Sequence, residues 1–170
     1  MNPLRQREPD FATAPDESDA RAQLPTIDAQ QLWFRVRLQE WSSLVIVPVG
    51  SGGTAAETAS RLCEAGHVLS EGPVSVLHAE RMEPSAIADL MVELSNRPKS
   101  GRTAADQQRL VISVDPVLTN PLGTGIAQAA DAALLCVELQ KATLADARAT
   151  IELVGRERFI GSVLFRARKS

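Results

Sequence analysis

Leu44-Val45-Ile46-Val47-Pro48-Val49 runs straight into Gly50-Ser51-Gly52-Gly53-Thr54-Ala55-Ala56, and this junction decides how the rest of the chain is read. An apolar run with no polar break reads as a strand buried on both faces, the habit of parallel sheets. The glycines after it supply a tight turn. Thr54 to Ala65 then reads as a helix, and Gly66 is placed to end it in a left-handed conformation.

Upstream of the junction, Leu32-Trp33-Phe34-Arg35-Val36-Arg37-Leu38-Gln39-Glu40-Trp41 is a short amphipathic segment whose tryptophans suit a core or a partner contact. Residues 1–28 mix Pro, Asp, Glu, Arg and Gln with few apolar groups, too few to offset the entropy of ordering them, so a disordered arm is expected there. Residues 29–170 are left as a single domain.

Downstream, the strand and helix signals alternate. Val74 to His78 reads as a second strand, and Pro84-Ser85 opens a helix with Ile87, Leu90, Met91 and Leu94 on one face and Pro98 marking its end. Leu110 to Val114 is a third strand, stopped by Asp115-Pro116, and a short helix is expected near Ile126 to Ala130. Ala132 to Leu139 is a fourth strand. Thr143 to Val154 carries a Thr143/Asp146 capping pattern, an inner stripe of Leu144, Ala147, Ile151 and Val154, and Gly155 behind it. Phe159 to Phe165 is the fifth strand. Parallel neighbours need long crossovers, so this alternation predicts an α/β fold: a mainly parallel sheet with helices on both faces. Ligands of such sheets sit beyond the strands' C-terminal ends, which here carry Gly50 to Thr54, His78 to Glu80 and Asp115 to Asn120.

Composition narrows the function classes. The 170 residues are 44% hydrophobic and carry a formal charge of -3, so neither nucleic acid nor an anionic membrane is expected to attract the chain. Cys63 and Cys136 lie far apart inside apolar segments without metal-ligand spacing, which reads as two buried free thiols in a reducing cytoplasm. No apolar run reaches the length of a membrane span, so a cytoplasmic location is expected. There is no tyrosine, and lysine occurs only at Lys99, Lys141 and Lys169.

A triphosphate-binding loop uses glycines to bring backbone N–H groups to phosphate, a lysine to reach the β and γ phosphates, and a Ser or Thr hydroxyl to bind magnesium. Gly50, Ser51, Gly52, Gly53 and Thr54 have the shape of such a loop without its chemistry. Thr54-Ala55-Ala56 puts a neutral hydroxyl at the lysine position and methyl groups at the hydroxyl positions. The helix N-terminus still offers a weak attraction to an anion.

At these positions the chain resembles the bacterial tyrosine kinases of capsule and exopolysaccharide export, the CpsD/CapB-like branch of the MinD and ParA group of P-loop proteins. The resemblance runs from about Phe34 to Phe165. The family's Pro-Gly-Glu-Gly-Lys-Ser-Thr loop corresponds to Gly50 to Ala56. Its Asp-Ala-Asp-Leu-Arg-Arg-Pro motif corresponds to His78-Ala79-Glu80-Arg81-Met82-Glu83-Pro84, which keeps one carboxylate, Glu80. Its Asp-Thr-Pro-Pro motif is shortened to Asp115-Pro116, making Asp115 the counterpart of the magnesium-side aspartate. Ile126 to Val137 resembles the family's helix, Ala-Asp and strand pattern, and Ile160 to Leu164 resembles its last strand.

The resemblance implies a P-loop-like fold and a degenerate nucleotide site, with Glu80 and Asp115 as metal candidates. A family kinase phosphorylates a tyrosine-rich tail, and this chain has no tyrosine to modify. Three readings follow. The first is a pseudokinase-like module that assists polysaccharide export by binding a membrane co-polymerase or related subunit, which would recruit it to the inner face of the membrane, with no cofactor and with room for an oligomer. The second is a divergent ATPase using ATP and magnesium, and the third another α/β small-molecule-binding domain. Each site residue also has a plain reading: the glycines as a turn, His78 and Glu80 as surface residues, Asp115 before Pro116 as a turn former, Asp131 as a loop or cap residue.

Overall fold

The structure, a computed structural model, describes residues 27–50, 54–69, 72–97 and 108–166. The expected arm lies almost wholly outside them, and helix α1 (Ile27–Val36) begins at its end. Strand β1 (Ser43–Val49) follows, then α2 (Thr54–Leu69), β2 (Val74–His78), a 3-10 turn (Ala79–Arg81), α3 (Pro84–Asn96) and β3 (Arg109–Ser113). The chain continues through α4 (Leu122–Ala129), β4 (Ala132–Leu139), α5 (Leu144–Val154), a second 3-10 turn (Arg156–Arg158) and β5 (Phe159–Arg166). Strand boundaries agree with the sequence to within a residue or so, while α4 starts four residues before its expected position.

The sheet has the order β2-β3-β1-β4-β5, and each pairing is parallel. β1 is buried along its whole length, as its unbroken apolar run requires. Its side chains alternate between two cores. Leu44 and Ile46 pack with α1 and α2, and Val45 and Val47 pack with α3, α4 and α5. A proline is unusual in a central strand because it has no N–H to donate. Pairing of β1 with β3 stops at Ile46, so Pro48 sits where β1 runs beside β4 alone.

Two clusters lock the end of the sheet opposite the strands' C-termini. One oxygen of Asp131 accepts hydrogen bonds from the backbone N–H and hydroxyl groups of both Ser42 and Ser43, at 2.7 to 3.2 Å. This ties the start of β4 to the start of β1. Burial alone would push the Asp131 carboxyl up, but the hydrogen bonds outweigh it and hold the group below the ordinary aspartate value. In the second cluster the Arg109 guanidinium lies 5.6 Å from the Trp33 ring centre and 5.0 Å from that of Trp41. Both tryptophans are buried, so they serve the core.

Two local expectations are corrected. Gly66 does not end α2, which continues to Leu69. It is instead a point of close approach, since a Cβ there would lie 2.9 Å from the Trp33 ring and from Val74. In α5 the capping box of Thr143 and Asp146 is present, but Leu144 is 69% exposed and the inward face is formed by Thr150 and Val154. Among the described residues no helix is long and apolar enough to cross a membrane.

Candidate functional site

In the strand order, the crossover from β1 runs to β2 on one side and that from its neighbour β3 runs to β4 on the other, so the connections leave two adjacent strands in opposite directions. Such a switch point opens a crevice at the strands' C-terminal ends. The candidate residues come from those ends. Gly50 closes β1 with φ +85°, a conformation that side chains other than glycine's rarely adopt. Ser51, Gly52 and Gly53 lie outside the described residues.

Thr54 opens α2, and the fate of its side chain is informative. The hydroxyl is the acceptor of a 3.4 Å contact from the Cys136 thiol of β4. Thr58, one turn on, lies 3.6 Å from the same sulfur and donates to the Thr54 carbonyl. The hydroxyl is thus held against the core. Cys136 is fully buried, and burial pushes its thiol pKa up, the Glu138 and Glu57 charges adding to this and the Thr54 and Thr58 contacts opposing it. Both cysteines are free and buried, as their sequence setting indicated.

Glu80 sits in the 3-10 turn after β2, and the β2–β3 register sets His78 beside Ser113. Ser113 donates to both Glu80 oxygens, at 2.9 and 3.0 Å, and lies 2.8 Å from His78 Nδ1. A hydroxyl has one proton. With it committed to the carboxylate, Ser113 accepts from His78 Nδ1–H, and the other ring nitrogen, Nε2, lies 3.5 Å from the Ser60 hydroxyl on α2. A chain of contacts therefore runs from α2 through β2 to β3 and ends on a carboxylate held in place. Ser113 was missed from the sequence, where it looked like a strand residue. The available signal was a single hydroxyl in an otherwise apolar strand.

Asp115 leaves β3 and accepts from Asn120 Nδ2 at 3.0 Å, while the Asn120 side-chain oxygen accepts from the Leu122 N–H at the start of α4. Asp115 therefore shapes the turn into α4. Glu80 and Asp115 are held by separate partners, and among the described residues no group of three or more His, Cys, Asp or Glu side chains could hold a metal ion.

The loop after β4 adds a residue that the sequence left unplaced. A Cβ on Gly50 would lie 3.3 Å from the Lys141 carbonyl oxygen, so this loop packs directly on the β1 turn. Its Gln140 has a positive φ of 76°. The Lys141 ammonium is 2.7 Å from the buried carboxylate of Glu138.

The fold and the crevice define a five-stranded parallel α/β protein whose glycine turn leads into Thr54 at the head of the following helix. No family model and no curated sequence matches the chain. Among solved structures it is similar to the chimerical protein CapA2B2, with a TM-score of 0.61 and 11% sequence identity over 89% of this chain and 89% of that chain. At that identity the likeness is one of fold.

Proposed function

We propose that this chain is a non-catalytic, kinase-like module that assists capsule or exopolysaccharide biosynthesis through protein interaction, its partner being the cytosolic part of a membrane polysaccharide co-polymerase or a related export subunit. The observation that carries the reading is the Thr54 contact with Cys136: the side chain at the lysine position is neutral and turned toward the core. Lys141, whose backbone packs on Gly50, has its ammonium paired with Glu138. The fold held in common with CapA2B2 supports the capsule-related part. No cofactor is required, and the partner recruits the chain to the inner face of the membrane.

Calorimetric titration with ATP and magnesium tests this. The expected result is no heat of binding at micromolar nucleotide and no phosphate release; micromolar binding with turnover would overturn the proposal. A divergent magnesium ATPase is the second reading, favoured by the packing of the Lys141 loop on Gly50. It assigns the metal side to Glu80 and Asp115 and the phosphate side to Gly50 through Thr54, with a partner's arginine for the missing lysine. Any hydrolysis left unchanged by Asp115→Ala counts against it.

A further inference from the structure

Away from the crevice, a groove of about 210 Å³ opens between α1, α2 and the edge strand β5. Leu32, Leu62, Val163 and Phe165 give it apolar walls, and Asp28 and Arg61 also line it. β5 is the last strand of the sheet, so its outer edge has no partner strand among the described residues. Unpaired edges of this kind are usually covered or blunted.

We propose that this groove is the docking site for the chain's own N-terminal segment around Phe11. The walls begin at Asp28, immediately after the point where residues 1–26 enter α1. Within those residues Phe11 is the single aromatic side chain. An apolar cavity of about 150 Å³ accepts a benzene molecule. The groove is larger, and so has room for the Phe11 ring.

Both surfaces carry both signs: the segment has Arg5, Arg7 and Arg21 beside its acidic Asp10, Asp16, Glu17 and Asp19, and the groove wall has Arg61 and Asp28, so a carboxylate after Phe11 has Arg61 to meet. Arg61 already meets Glu57, but both side chains are largely exposed. A surface pair of that kind contributes about 0–1 kcal/mol and leaves the guanidinium open to a second carboxylate.

The tether makes the contact local. Fifteen residues lie between Phe11 and Ile27, and a segment of that length, if it behaves as a coil, has a root-mean-square span of about 20 Å. The ring is then present at an effective concentration on the order of millimolar, so a weak intrinsic affinity is enough to fill the groove. The low apolar content that leaves the arm without a core of its own is compatible with one anchored side chain.

The test uses the full chain labelled with fluorophenylalanine. Fluorine NMR reports separately on Phe11, Phe34, Phe159 and Phe165. Phe11→Ser is expected to move the Phe165 resonance while leaving Phe34 and Phe159 in place, and Val163→Asp is expected to move the Phe11 resonance to its value in urea. Both shifts should persist on dilution. A Phe165 resonance indifferent to Phe11→Ser would overturn the proposal, and so would a Phe11 resonance that sits at its urea value in the unmodified chain. Shifts that vanish on dilution would overturn it too, by assigning the groove to the arm of a second copy. Phe34 and Phe159 resonances that stay in place show that Phe11→Ser leaves the fold unchanged, so the Phe165 readout does not depend on the variant's stability.

Discussion

Ser113, buried in β3, gives its only hydroxyl proton to Glu80 and receives one from His78, so a single side chain sets the positions of two candidate site residues on a neighbouring strand and turn. The geometry makes Ser113 and Glu80 energetically dependent on each other. Removing one partner of a hydrogen bond costs about 1–3 kcal/mol when the group left behind is buried, and the partly exposed Glu80 puts this case at about 1 kcal/mol. Ser113→Ala is expected to lower stability by that order, measured by urea unfolding. Glu80→Gln should then cost less in the Ser113→Ala background than alone, with a coupling of at least about 0.5 kcal/mol across the double-mutant cycle. Additive effects would mean that the two side chains act independently.

Asp131 joins β4 to β1 through Ser42 and Ser43, and its folded-state carboxyl is held below its ordinary value. A depressed carboxyl contributes stability that is present above the unfolded value of about 3.9 and is lost as pH falls through the folded value. Asp131→Ala should therefore destabilise the protein by about 2 kcal/mol at pH 7, since hydrogen bonds to a charged acceptor are lost and the Ser42 and Ser43 N–H groups are left without it. The gap between the two proteins should close as pH drops below about 4. Urea midpoints at pH 7 and pH 3 decide the matter, and an equal gap at both would contradict the assignment.

Gly66 lies inside α2 against Trp33, and the competing effects there differ in sign. Alanine improves helix propensity by about 1 kcal/mol. Its methyl would also press into the Trp33 ring and Val74 at 2.9 Å, and overpacking of a filled core costs about 1–3 kcal/mol. Gly66→Ala is expected to be a net loss, seen as a lower urea midpoint by tryptophan fluorescence. A raised midpoint would show that the ring yields.

Much of the fold was legible because burial on both faces leaves an unmistakable mark on a strand. The run from Leu44 to Val49 and the segment from Ala132 to Leu139 could be assigned from apolar content, and their separation by helical stretches implied the parallel sheet. Helix details were less legible. Gly66 looked like a terminator since a glycine after an apolar stretch often is one, and only the proximity of Trp33, more than thirty residues earlier in the chain, shows that it permits close packing instead. Leu144 matched the helical period yet faces outward, because it is the first residue of α5, where the helix has not yet reached the sheet side formed by Thr150 and Val154.

The amino-acid sequence by itself determined which side chains are available: a chain with no tyrosine cannot modify its own tyrosines, and Thr54-Ala55-Ala56 carries no lysine whatever the fold does. Tertiary structure alone decided what the remaining groups do. The β2–β3 register joined His78 and Glu80 through Ser113, the pairing of β1 with β4 brought Lys141 against Gly50, and helix packing turned Thr54 toward Cys136. The reason is physical. Composition and local pattern are properties of neighbours along the chain, whereas hydrogen bonds and close approaches depend on positions that only the assembled sheet brings within a few ångströms.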